Sequence, residues 1–128
     1  MENQPPDVVA PDAALAGPAL TPAQFHILLT LAEGERHGYG IMQEIRRRTD
    51  GAVELGPGTL YRSIKQLLAL GFILELDNGS DPGPDSSKKR RPYALTPLGK
   101  AKTTDEARRV ASLARWAEEA LALEGGQA

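Results

Sequence analysis

The order of helix and strand signals predicts a mostly helical α+β fold, a small domain with a two-stranded hairpin followed by one long helix. Two observations carry this. A cap-then-proline pair stands at Thr21-Pro22 and again at Thr96-Pro97, each opening a stretch with apolar residues at helical spacing. Between them, Phe72-Ile73-Leu74-Glu75-Leu76 and Arg91-Pro92-Tyr93-Ala94-Leu95 read as two strands around a Gly/Pro/Asp/Ser segment. A chain of 128 residues has no room for two full domains, and a core this small with 5% aromatic content gains from a partner subunit.

Residues 1–19, rich in Pro, Ala and Asp and without periodicity, read as a flexible acidic tail. A folded domain is expected over 20–95, a terminal helix over 96–124 and a short tail over 125–128. In the first helix Thr21 is the N-cap, Pro22 the first helical residue and Gln24 the capping-box partner. Phe25, Leu28, Leu29 and Ala32 fall at helical spacing, Ile27 and Leu31 widen the face, and Gly34 stops a helix expected to be mostly buried. His37-Gly38-Tyr39-Gly40 leads into a second helix with the stripe Ile41, Met42 and Ile45 and a basic end, Arg46-Arg47-Arg48. Val53-Glu54-Leu55 is expected as a short strand, and Gly56-Pro57-Gly58 as a turn into a third helix from about Thr59 to Leu70, ended by Gly71.

On the third helix Leu60, Ile64, Leu67 and Leu68 share one side, which leaves Thr59, Arg62, Ser63, Lys65 and Gln66 facing outward. That outer face carries bases and no acids. The last helix is expected to run to about Leu123, closed by Gly125-Gly126. Its apolar band of Ala101, Ala107, Val110, Leu113, Ala114, Ala117, Ala120 and Leu121 is wider than one small domain covers. A second copy of the chain is expected to cover it, with Val110, Leu113, Ala114, Ala117 and Leu121 at the interface.

The net charge of −2 conceals opposite regional excesses. Residues 1–35 sum to −5, residues 36–102 to +5 and residues 103–128 to −2. A basic middle suits a module that binds a polyanion over a local footprint. The absence of cysteine excludes disulfides, thiol catalysis and thiolate metal sites, and favours a reducing, cytoplasmic setting. No apolar run approaches the ~18 residues of a membrane span, and the acidic, proline-broken start is unlike a signal peptide.

Enzymatic readings find little support. His26 and His37, the two histidines, match neither metal-site nor triad spacing. Gly56-Pro57-Gly58-Thr59 lacks the Gly-Lys-Ser/Thr ending of a phosphate loop, and Glu118-Glu119 are adjacent solvating charges. No catalytic residue, metal or cofactor is expected.

Three helices, the third with a basic outer face, then a hairpin with a basic return strand, is the order of a winged helix-turn-helix. LTPAQFHILLTLAEGERHGYGIMQEI, GPGTLYRSIKQLLALGFI and RRPYALTPLGKA resemble the signature stretches of PadR-like transcriptional regulators over about residues 20–102. The resemblance implies a DNA-binding domain whose third helix reads the major groove, a wing on the adjoining backbone or minor groove, and a C-terminal helix that builds a homodimer. It also implies repression relieved by a small, often aromatic, effector. This chain departs from the pattern in a long wing tip carrying Asp77, Asp81 and Asp85, and it has one helix after the wing, as in the shorter branch of the family.

Arg62 is the first choice for a base contact, with Thr59, Ser63, Lys65 and Gln66 beside it as donors to base edges and phosphates. By the resemblance Tyr61 lies near the DNA backbone; the other reading packs its ring under the second helix. Tyr39 has the same two readings and leans to positioning or backbone contact. Lys88, Lys89, Arg90 and Arg91 suit phosphate tracking, the alternative being a solvated run that guards a hairpin edge. Arg46, Arg47 and Arg48 are read as cations stabilised by the helix C-terminus without a ligand. Trp116 suits either an aromatic effector site at the dimer helices or plain interface packing. The expected partners are a pseudo-palindromic DNA operator, a second copy and a small aromatic effector. The reading from another class is a winged helix that binds protein instead of DNA, and it calls for apolar or acidic exposure on the third helix.

Overall fold

Thr21 opens helix α1 (Pro22–Ala32) in a computed structural model that describes residue 17, residues 19–77 and residues 91–122. The capping box is complete: Gln24 N donates to Thr21 Oγ1 at 3.1 Å, and Thr21 N donates to Gln24 Oε1 at 2.9 Å. A two-residue strand β1 (Arg36–His37) then runs straight into α2 (Gly38–Arg48). Helix α3 (Pro57–Leu70) begins two residues earlier than Thr59, with Pro57 in its first turn, where its missing N–H costs nothing. It ends on Gly71 at φ 80°, the left-handed cap that glycine adopts without strain.

Strands β2 (Ile73–Glu75) and β3 (Pro92–Leu95) pair antiparallel, Ile73 with Leu95 and Glu75 with Tyr93, and Thr96 caps the long helix α4 (Pro97–Ala120). Arg36–His37 pairs with the other edge of β3, Arg36 opposite Tyr93, so the sheet has the order β1-β3-β2. Sequence reasoning placed the third strand at Val53–Leu55 instead. That segment has no strand; its alternation is real, with Val53 and Leu55 half-buried against the core and Glu54 exposed. Alternation registers burial, and the edge of β3 it would have needed is taken by β1.

The core lies where α1, α2 and α3 meet the sheet: Ile27, Leu28, Ile41, Ile45, Leu60, Ile64 and Leu67 are fully buried. On α1 the buried row is Gln24, Ile27, Leu28, Thr30 and Leu31, while Leu29 and Ala32 are exposed, so the inner face is narrower than the hydrophobic letters suggest. The junction between β2 and α4 is tight. Thr96 Oγ1 donates to Gly71 O at 2.7 Å and accepts from Gly99 N at 2.9 Å, and a Cβ on Gly99 would overlap the Phe72 carbonyl. This is a winged helix-turn-helix. The wing-tip bases Lys88, Lys89 and Arg90, residues 1–16 of the expected acidic tail, and the closing Gly125-Gly126 lie outside the described residues.

Candidate nucleic-acid interface

Helix α3 buries Leu60, Ile64 and Leu67 and exposes Thr59, Arg62, Lys65 and Gln66. The stripe predicted from spacing therefore exists, with one correction. Ser63 is 5% exposed and faces inward, because it follows Leu60 by three residues and precedes Leu67 by four, which puts it in their row. Among the described residues neither Arg62 nor Lys65 is engaged in an ion pair or hydrogen bond. Gln66 is held at one end, its Oε1 accepting from Gln24 Nε2 of α1 at 3.1 Å.

The arginines of α2 contrast with them. Arg47 donates to Glu44 Oε2 at 2.6 Å, Arg48 to the same oxygen at 3.0 Å and also to Glu33, and Arg46 lies 3.6 Å from Glu54. The hydrogen bond from Arg47 draws the Glu44 carboxyl below its ordinary range. These cations are internally paired, in keeping with a structural reading of the run.

Tyr61 is half-buried and its ring lies against the start of α2: a Cβ on Gly38 would overlap the Tyr61 hydroxyl. The ring packs there, and the hydroxyl sits at the α2 N-terminus, where His37 supplies no side-chain cap. Burial pushes the Tyr61 phenol up from its ordinary value. Tyr39 is 63% exposed, its Oη accepting from Gln43 Nε2 at 3.3 Å. Arg91, the described member of the wing run, is exposed, with Nη1 3.9 Å from Glu75 Oε2. Burial and the Glu75 carboxylate push the Tyr93 phenol between them upward.

Sequence reasoning missed Gln24, Gly38 and Glu75. Gln24 was legible as a cap alone, since nothing in its spacing shows α3 alongside. Gly38 carries a signal only once Tyr61 is placed over it.

On α4, Val110, Leu113, Ala114, Ala117 and Leu121 are all exposed, Leu113 at 56%, and Trp116 is 66% exposed. Beside the first turns of α4 runs an apolar groove of about 340 Å³, lined by Ala32, Leu95, Thr103, Ala107 and Ala111, with Lys100 and Arg108 in its walls. Among the described residues no cluster of three or more His, Cys, Asp or Glu could hold a metal, and no helix is long and apolar enough to cross a membrane.

The sequence profile of the transcriptional regulator PadR-like family matches residues 27–105. A transcriptional regulator of Mycobacterium tuberculosis is 34% identical over 92 residues, covering 72% of this chain and 78% of the relative. Among solved structures, a transcriptional regulator from Clostridium thermocellum superposes with a TM-score of 0.63 at 25% identity, covering 76% of this chain and 87% of that one. A PadR family transcription regulator from Clostridium difficile shares the fold, with a TM-score of 0.62 at 23% identity over 77% of this chain and 97% of that one. The profile spans more than half of the chain and its matched segment contains all of α2, α3 and the described wing strands. The chain belongs to the PadR-like family of transcriptional regulators, and is a regulator rather than an enzyme.

Proposed function

We propose that this regulator binds double-stranded DNA as a homodimer, placing α3 of each copy in successive major grooves of a pseudo-palindromic operator and so acting as a repressor. The observation that carries the reading is the outer face of α3, where Arg62 and Lys65 stand exposed with no carboxylate partner among the described residues, while the neighbouring α2 arginines are paired. Arginine there can meet guanine O6 and N7 with two parallel donors, and Lys65 and Thr59 suit phosphates. Arg91 extends the basic surface onto the wing. A module that binds protein through α3 would expose apolar or acidic groups where these cations stand.

The second copy covers α4. Val110, Leu113 and Leu121 with the small residues Ala114 and Ala117 form a face whose exposure to water is unfavourable and whose alanines admit a close helix partner. A twofold pairing there sets the distance between the two α3 helices at roughly one DNA turn, ~34 Å. A small aromatic effector near Trp116 releases DNA by binding one spacing of the helices better than the other, since only differential affinity shifts such an equilibrium.

Gel-shift titration with duplexes enriched from random DNA by the full-length protein tests the reading. Arg62→Ala is expected to lose the enriched sequence while keeping the fold. Equal binding by variant and parent removes α3 from DNA.

A further inference from the structure

Gln66 lies one helical turn beyond Arg62 on α3, so the two side chains are neighbours on the same exposed surface. Unlike Arg62, Gln66 is tied down. A chain of hydrogen bonds reaches it from α1: Thr21 N donates to Gln24 Oε1 at 2.9 Å, and Gln24 Nε2 donates to Gln66 Oε1 at 3.1 Å. Gln24 is 8% exposed, wedged between the start of α1 and α3.

The two ends of a carboxamide are alike in shape and opposite in chemistry, one accepting and the other donating. A backbone N–H can only donate. The Thr21 N–H therefore fixes Gln24 with its oxygen toward the cap, which turns the Gln24 NH2 toward α3. That donor in turn holds the oxygen of Gln66. The polarity runs one way from the main chain outward, and the group left facing solvent is the Gln66 NH2.

We propose that Gln24 is a positioning residue for sequence readout: by holding the Gln66 oxygen it presents the Gln66 NH2 as a donor, and selects a guanine or thymine at the base it meets. The inference rests on the DNA-binding role proposed for α3. An unconstrained glutamine favours adenine, giving an N–H to N7 and accepting from the N6 amino group. Here the oxygen is turned toward Gln24, so the adenine amino group meets the outward NH2, another donor. Guanine presents two acceptors, N7 and O6, and thymine presents O4, and each fits the outward NH2.

The test is selection from a random duplex DNA library by the full-length protein, by Gln66→Ala and by Gln24→Glu, each followed by sequencing of the retained DNA. Gln66→Ala identifies the base column that Gln66 reads, because preference there flattens while the other columns hold. Gln24→Glu keeps an oxygen for the Thr21 N–H but replaces the donor facing Gln66 with a second oxygen, so the Gln66 amide turns over. The expected result is that the column flattened in Gln66→Ala is guanine or thymine in the parent and shifts about tenfold toward adenine or cytosine in Gln24→Glu. If Gln24→Glu does not fold, the identity of the column lost in Gln66→Ala decides alone. An adenine or cytosine column, a guanine or thymine column that a folded Gln24→Glu leaves unshifted, a uniform loss across all sequences as from a phosphate contact, or a motif unchanged in Gln66→Ala overturns the inference. A parent protein that enriches no motif overturns the DNA-binding reading and this inference with it.

Discussion

Arg62 and Arg47 carry the same charge in different surroundings: among the described residues Arg62 faces solvent without an ion pair, whereas Arg47 lies 2.6 Å from Glu44. Replacing Arg62 with Ala is therefore expected to cost about 1–3 kcal/mol of binding on the enriched duplex, the range for a guanine contact. Arg47→Ala on the same duplex is expected to change affinity far less, and fluorescence anisotropy titrations of the two variants check the contrast. Tyr61 and Tyr93 give a second expectation. Both phenols are pushed above their ordinary value of 10.0, chiefly by burial, so each holds its proton more tightly folded than unfolded. Stability from that source is complete below the ordinary value and is lost as the pH rises through the raised ones. Urea denaturation between about pH 9 and 11 should show stability falling, with a shallower fall in Tyr93→Phe. An identical slope in the variant would assign the alkaline loss elsewhere. Ser63 shows where reading by residue type stops. Its hydroxyl suggested an outward donor, yet its place in the Leu60 and Leu67 row decides its direction, and that row was visible in the sequence.

Among the elements, those announced by local chemistry were the legible ones. The Thr21-Pro22 and Thr96-Pro97 signals mark the true starts of α1 and α4, because a capping hydroxyl and a residue without an N–H satisfy the first turn locally. Strand β1 escaped for the opposite reason: two residues, Arg36 and His37, have no periodicity of their own and become a strand only through β3. The Gln24–Gln66 link was hidden for the same cause, since it joins positions 42 residues apart. Gly99 supplies the test at this scale. A Cβ there meets the Phe72 carbonyl, a backbone atom that cannot swing away, so α4 must move off β2. Gly99→Ala is expected to lower the unfolding free energy by about 1–3 kcal/mol, as overpacking does, with thermal denaturation as the readout. A midpoint equal to the parent's would mean that the junction is looser than its hydrogen bonds imply.

For the whole molecule, the proposed function assigns charge and apolar surface to separate tasks: the exposed cations on α3 and Arg91 to DNA, and the exposed aliphatic side chains of α4 to a second copy. Leu113→Glu puts a charge in the middle of the α4 face and is expected to shift the protein from dimer to monomer in analytical ultracentrifugation. A variant that sediments as a dimer would place the interface elsewhere. Loss of the dimer should also weaken operator binding, because two linked α3 helices gain from each other's attachment. Replacing Arg91 with Ala should reduce the slope of log K against log salt by about one unit if it neutralises a phosphate. Most directly, the full-length protein and its Arg62→Ala variant can be compared by sequencing the duplexes each retains from random DNA at moderate salt. A two-part, inversely repeated motif is expected with the parent and its loss with the variant. Retention without any motif, or the same motif in both, would contradict it.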